Sequence, residues 1–152
     1  MFLRHFLFVY LFFGLSAATF GESSLEFVNP DGLFKPSTFT QVVIGQGERM
    51  VFISGQTARN ADSEVVGIGD VKAQTEQAIR NLIVAVEAVG GSTSDIAKIT
   101  TFIVGLKPED RFWIGAMVKD YFPHPPAHTL IGVSDLATPE LLVEIEAFAV
   151  LR

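Results

Sequence analysis

The chain lacks cysteine and has few of the residues that bind metals or nucleic acid. Without cysteine it has no disulfide, no thiolate nucleophile and no Cys-ligated metal site. It has three histidines, and its 11 Lys and Arg against 17 Asp and Glu give a net charge of −6. Nucleic-acid binding uses clustered Lys and Arg to neutralise phosphates, and this acidic balance disfavours it. We therefore expect no metal, no cofactor and no nucleic-acid partner.

The aromatic residues are unevenly placed, and the first 20 residues hold six of the 14 phenylalanines. Arg4 precedes an apolar run over 6–18, and small residues follow as far as Gly21. This pattern predicts a secretory signal peptide over 1–21, because the run is shorter than the roughly 20 residues of a spanning helix. The alternative is an uncleaved anchor, which would be the protein's one membrane contact. We expect a secreted or periplasmic protein with a single domain over 22–152.

Hydrophobic periodicity predicts the elements of that domain. A hairpin is expected from strands at 39–44 and 49–54, followed by a helix that Asp70 caps and Gly90 ends. A strand at 96–104, a helix at 108–122 and strands at 129–133 and 142–151 complete the order ββαβαββ. This order predicts an α+β domain with both helices on one face of a mixed sheet. In the last strand Glu144, Glu146 and Phe148 alternate with apolar residues, so we expect their face to form a subunit contact.

Four segments carry a family resemblance. They are Phe-Thr-Gln-Val at 39–42, Val-Phe-Ile-Ser-Gly-Gln at 51–56, Pro-Ala-His-Thr at 126–129 and Val-Glu-Ile-Glu-Ala at 143–147. Over about 28–152 the chain resembles the Rid/YjgF family of reactive intermediate deaminases. The resemblance implies a chorismate-mutase-like (ferredoxin-like) fold and a homotrimer with ligand clefts between subunits. It also implies hydrolysis of small enamines and imines to a carbonyl product and ammonia.

The resemblance also assigns candidate roles. Glu144 matches the glutamate that would orient or activate water, and the alternative is a structural carboxylate at the trimer contact. His128 would contact the substrate as the second candidate catalytic residue, or merely line the cleft. Glu146 is expected in an interface salt bridge, and His124 at the surface in a proline-rich loop that disfavours a metal pair with His128. The candidate substrate-binding residues are Phe39, Ser54, Gly55, Thr129 and Leu130. Gly55 would allow close approach of a ligand to the backbone, and the alternative is a bulge at the end of its strand.

Two positions depart from the deaminating members. His128 stands where they have an arginine that grips the substrate carboxylate through two parallel charged hydrogen bonds. Phe39 stands where many have tyrosine, so a hydroxyl is missing. A histidine with a pKa near 6.5 is mostly neutral at pH 7 and gives a carboxylate oxygen one donor at most. The chain therefore resembles a branch of the family that lacks the arginine.

Three functions remain open from the sequence. The first is an exported imine or enamine hydrolase that uses Glu144 and His128. The second is a noncatalytic trimer that binds a small molecule or a partner in the same clefts. The third is ribonuclease activity, which has been ascribed to some family members and which the acidic charge argues against. Convergence of His128 and Glu144 across a subunit boundary, with room for water, would favour the first.

Overall fold

The computed structural model describes residues 25–31 and 35–152, so the predicted signal peptide over 1–21 lies outside the described residues. The elements are β1 (Leu25–Val28), β2 (Val42–Gly45), β3 (Arg49–Thr57), α1 (Val71–Glu87), a 3-10 turn (Thr93–Asp95), β4 (Ile96–Val104), α2 (Asp110–Tyr121), β5 (Ala127–Val133) and β6 (Val143–Leu151). In the described part of the chain, no helix has the length and apolar character needed to cross a membrane.

Four strands form a mixed sheet in the order β3-β6-β4-β5. The central strand β6 runs antiparallel to both β3 and β4, whereas β4 and β5 are parallel. The parallel pair is joined by α2, as a crossover connection requires. The predicted α+β class, with two helices and a mixed sheet, is confirmed, and β1 is an additional strand before the predicted order.

The helix α1 begins and ends where the sequence predicts. The Asp70 carboxylate accepts hydrogen bonds from the backbone N–H groups of Lys72 at 3.0 Å and Ala73 at 3.1 Å. These bonds satisfy two of the N-terminal donors that a helix leaves unpaired. Gly90 adopts a φ of +86°, a conformation that favours glycine just beyond a helix end.

Both helices pack on the same face of the sheet. Helix α2 contributes Ile114 and Val118 to one core cluster that also contains Phe122, directly after α2, and residues of α1 and the sheet. From the sheet, Ile99 on β4 and Ile145 on β6 point into this cluster and are almost fully buried. Burial of such side chains is the main favourable contribution to folding, at roughly 1.5–3 kcal/mol for each.

The predicted hairpin between 39–44 and 49–54 is wrong. Strand β2 pairs with β1 in a separate two-stranded ribbon, and β3 pairs with β6 instead. Before β2, Thr40 is held at the edge strand β5, because its N–H donates to Pro126 O at 3.1 Å and its hydroxyl to Pro125 O at 2.7 Å. At the other end of β2, Gly45 lies against Val150 near the end of β6. A Cβ built at Gly45 would come within 2.6 Å of Val150 Cγ2.

The predicted alternation along β6 is confirmed. Val143, Ile145 and Ala147 are buried beneath the helices, and the residues between them lie on the opposite side of the sheet. We call this second side the open face, because neither α1 nor α2 packs on it. From strand register, its members are Met50, Phe52, Lys98, Thr100, Phe102, Thr129, Ile131, Glu144, Glu146, Phe148 and Val150.

Candidate active site

A bulge in β3 shapes the first half of the candidate site. The register with β6 shifts between Ile53, which pairs with Ala147, and Gln56, which pairs with Ile145. Ser54 and Gly55 of β3 therefore lie opposite a single residue of β6, Glu146, so β3 has one extra residue at this point. Such bulges bend a strand and redirect side chains, and they are over-represented next to active sites. From the sequence, a bulge at the end of the strand was one of two interpretations of Gly55, and the structure shows this bulge.

The carboxylate of Glu144 occupies the space that Gly55 leaves open. A Cβ built at Gly55 would overlap Glu144 Oε1 and come within 2.5 Å of its Cδ. Glycine is thus required for this close approach. The structure therefore brings together two residues that were both predicted for the site. Among the described residues, the Glu144 carboxylate forms no salt bridge and accepts no hydrogen bond. Its lone pairs are therefore available to a water molecule or a ligand.

The second half of the candidate site lies on the edge strand β5. His128 pairs in register with Ile99 and so belongs to the helix side of the sheet. Its Nε2 lies 3.0 Å from the hydroxyl of the buried Thr101. Burial, followed by the positive charge of Lys98, lowers the pKa of His128 to about 4. His128 is therefore neutral at pH 7 and does not replace an arginine cation.

Lys98 links β5 to the open face, and sequence analysis missed it. Its ammonium donates to the Thr129 hydroxyl and, at 2.9 Å, to Ile99 O. Partial burial lowers the pKa of Lys98, and the nearby charge of Glu146 acts in the opposite direction. The alternation of β4 could have identified this residue, because a lysine in step with Thr100 and Phe102 faces away from the helices.

The remaining predicted residues lie along the outer edge of β5. Thr129 and Leu130 belong to this strand, and Phe39 directly precedes Thr40, which forms a bridge with Ala127. Within the described part of the chain, that bridge is the one pairing recorded on the outer side of β5. Backbone groups further along the edge are thus placed to bind a ligand or a neighbouring strand.

Within one chain, the two halves do not meet. Ser54, Gly55 and Glu144 cluster on β3 and β6, whereas His128 lies on β5, with β4 between. Glu144 is on the open face and His128 is on the helix side. No group of three or more His, Cys, Asp and Glu side chains suited to a metal ion occurs in residues 25–31 and 35–152.

Comparison with known proteins identifies the family. The fold, with two helices on one side of a mixed sheet, is that of a small α+β protein. Within it the chain belongs to the Rid/YjgF family, because residues 35–151 match the family model described as Endoribonuclease L-PSP.

Two curated proteins illustrate the relationship. A 2-iminobutanoate/2-iminopropanoate deaminase of Dermatophagoides farinae is 32% identical over 103 residues, which cover 67% of this chain and 78% of that protein. A RutC family protein of Pyrococcus abyssi is 30% identical over 100 residues, covering 65% and 76% of the two chains.

Solved structures share the fold. A Rid family protein of unknown function from Yersinia pestis superimposes with a TM-score of 0.81 at 35% identity, covering 84% of this chain and 99% of that one. RidA from an Antarctic Psychrobacter species gives a TM-score of 0.60 at 26% identity, covering 78% and 92%.

Proposed function

We propose that this protein hydrolyses small imine or enamine intermediates to a carbonyl product and ammonia. The observation that carries the proposal is the Glu144 carboxylate, which sits over Gly55 at the bulge with no hydrogen-bond partner among the described residues. A carboxylate in this state can accept a proton from an attacking water. The family relationship and the deaminase relative from Dermatophagoides farinae support this reaction class.

The proposed reaction adds one water to a C=N bond. Glu144 accepts one proton from that water as the water oxygen bonds to the imine carbon, and it passes this proton to the imine nitrogen to give a carbinolamine. Glu144 then removes the proton of the carbinolamine hydroxyl and delivers it to the amino group. The C=O bond forms as the C–N bond breaks and ammonia leaves, so Glu144 ends each cycle as a carboxylate.

We further propose that the protein works as a homotrimer with clefts between subunits. The open face supports this proposal because it exposes large apolar side chains, with Phe52 68% and Phe148 37% exposed. The two rings contact each other edge to face, with centroids 5.3 Å apart. Apolar patches of this kind mark protein interfaces. Assembly through this face would bring the β5 edge of one copy, with Leu130, towards Glu144 of another.

Because His128 is neutral, we expect substrates that carry a carboxylate to bind weakly. Since its ring is hydrogen-bonded to Thr101 and uncharged, it offers a substrate carboxylate little attraction. Backbone groups of Thr129 and Leu130 would hold the substrate instead. We therefore propose that wild-type protein turns over 2-imino acids more slowly than the His128→Arg variant does.

The test is ammonia release from freshly generated 2-imino acids and from simple imines that lack a carboxylate. We expect wild-type protein to release ammonia from at least one of these classes, and Glu144→Gln to be slower by about a hundredfold. Glu87→Gln, an exposed carboxylate near the end of α1, is the matched control. His128→Arg should raise turnover of 2-imino acids selectively. Wild-type protein inert on both classes would overturn the proposal.

A noncatalytic binding trimer is the second candidate. It is favoured by the inward hydrogen bond of His128 to Thr101, which directs this side chain into its own subunit. In that case Glu144 would bind a ligand without turning it over. Ligand-dependent thermal stabilisation with no ammonia release, lost in Glu144→Gln, would distinguish this function from hydrolysis.

We also propose that the chain is exported and cleaved after the predicted leader over 1–21. The charged start and short apolar run of the sequence support this step. N-terminal sequencing of the protein recovered from the periplasm or medium tests it, and recovery of full-length chain in the membrane fraction would contradict it.

A further inference from the structure

A groove on the helix side of the protein has no part in the proposed reaction. It has a volume of about 370 Å³ and runs between α1 and α2, away from the open face. Pockets that bind small molecules begin at roughly 300 Å³. The groove is lined by Glu76 from α1 and by Trp113, Ala116, Met117, Asp120 and Tyr121 from α2.

Helical spacing explains how the groove is built. Trp113, Met117 and Tyr121 are four residues apart, so they form one stripe along α2. The two aromatic residues are separated by about 12 Å along the helix axis, with Met117 between them. Ala116 and Asp120 lie one residue earlier and form the adjacent stripe, in which the small alanine side chain leaves space.

The hydrogen-bonding groups of the lining determine what can bind. The Trp113 indole N–H donates to Asp110 Oδ1 at 2.9 Å, and the Tyr121 hydroxyl donates to Glu76 Oε1 at 3.1 Å. The side-chain donors of the lining are therefore already used. Acceptors remain, because Asp120 and Glu76 Oε2 have no recorded hydrogen-bond partner in the described part of the chain. A ligand must supply donors, and an anion would be repelled.

Asp120 provides the negative charge that attracts a cation, because it forms no salt bridge within the described residues, whereas Glu76 is ion-paired with Arg80. Glu76 also accepts from Arg80 at 2.6 Å, and Arg80, followed by Tyr121, lowers the pKa of this carboxyl group. Burial, followed by the hydrogen bond to Glu76, raises the pKa of Tyr121, which keeps its proton. The Trp113 ring already attracts one cation, since Lys72 Nζ lies 5.7 Å from its centroid. Aromatic faces attract ammonium groups in this way.

We propose that this groove binds small protonated amines. The ammonium group would donate to Asp120 and Glu76, and the apolar body of the ligand would lie over Met117 between Trp113 and Tyr121. This site is separate from Glu144, which lies on the other side of the sheet, and it does not depend on the proposed hydrolysis.

The chain provides a direct reporter, because Trp113 is its single tryptophan. The experiment titrates the purified protein with n-butylammonium chloride at constant ionic strength and follows Trp113 fluorescence. Sodium n-butanoate is the matched anionic probe. We expect a saturable change with the amine and none with the carboxylate. The indole N–H resonance of Trp113 in a two-dimensional NMR spectrum, measured in the same titration, should move with the same dissociation constant.

Two variants test the binding geometry. Asp120→Asn keeps the shape of the groove but removes a charge, and should weaken butylammonium binding by about tenfold. Ala116→Leu keeps every charge but fills space, and should abolish binding. Asp62→Asn, on an exposed loop outside the groove, is the matched control and should bind as wild type does. Equal responses to butylammonium and butanoate, an absence of saturation, or wild-type affinity in both groove variants would overturn the proposal.

Discussion

The two faces of the four-stranded sheet differ in composition, and β6 contributes to both. On the helix side, Ile145 is 2% exposed, and the core that surrounds it is built from aliphatic residues and Phe122. On the open face, two residues of the same strand are carboxylates, and Phe148 beside them is partly exposed. One strand therefore carries buried core residues in alternation with charged or partly exposed residues, which include the candidate catalytic Glu144.

The comparison shows what each face requires. Apolar side chains on the helix side are fully covered by α1 and α2, which is sufficient for a stable domain. The open face combines Glu144, Glu146 and Lys98 with phenylalanines. Charged groups lose favourable hydration when they are covered, and they need partners or water in compensation. This combination suits a face that contacts other copies of the chain around small wet clefts better than one that forms a continuous dry core.

Gly55→Ala should produce the largest effect and tests the open face. A methyl group at this position displaces the Glu144 carboxylate, so we expect a loss of imine hydrolysis approaching that of Glu144→Gln, about a hundredfold. A variant that combines Gly55→Ala with Glu144→Gln should be no slower than Glu144→Gln alone, because the two substitutions remove the same function. Initial rates of ammonia release provide the measurement. Full activity in Gly55→Ala would show that catalysis does not require the Glu144 carboxylate in this position.

Ile145→Ala and Ile131→Ala compare the same substitution on opposite faces. The buried Ile145 should lose about 2–5 kcal/mol of unfolding free energy, because truncation leaves a cavity in a packed core. Ile131 is 37% exposed on the open face and should lose about 1 kcal/mol or less. Urea denaturation at several protein concentrations measures both. If both variants lost the same unfolding free energy at every protein concentration, the proposed difference between the buried helix side and the open face would be contradicted.

His128 should make the fold sensitive to mild acid. Its pKa is about 4 in the folded protein and near 6.5 in the unfolded chain, so between these values the unfolded state binds the extra proton. The stability due to a neutral His128 is fully present above pH 6.5 and falls by about 2–3 kcal/mol as the pH drops towards 4. Urea unfolding of wild type and His128→Gln at pH 7.5 and 5 measures the difference.

The control for that experiment is His124→Gln. His124 is exposed and stacks on Phe27 with ring centroids 5.2 Å apart. It should therefore keep the wild-type pH dependence, while His128→Gln reduces it. If His128→Gln loses as much stability between the two pH values as wild type does, His128 is not held neutral in the fold.

Local patterns in the sequence predicted much of the fold. Asp70, Gly90 and the alternation along β6 act through nearby backbone and burial preferences, so the ends of α1 and the two faces of β6 were predictable. The pairing of β2 was not, because its partner β1 was not predicted as a strand and because Thr40, just before β2, is hydrogen-bonded to Pro125 and Pro126 far along the chain. A strand pattern indicates that a segment is extended but does not identify its partner.

The candidate site was predicted to a similar extent. Glu144 and Gly55 could be selected from the family resemblance, and a bulge was one interpretation of Gly55. Their direct contact could not be predicted, because it depends on the register between β3 and β6. The burial of His128 against Thr101 was also hidden, since the two residues are distant in sequence and meet through the parallel pairing of β4 and β5.

The most direct test of the account compares two phenylalanines with nearly equal exposure, Phe52 at 68% on the open face and Phe112 at 66% on α2. Sedimentation velocity and ammonia release are measured for Phe52→Asp, Phe112→Asp and wild type. The account predicts that wild type and Phe112→Asp are active trimers, whereas Phe52→Asp is a folded monomer without activity. A monomeric wild type, or a monomeric Phe52→Asp that retains full activity, would contradict it.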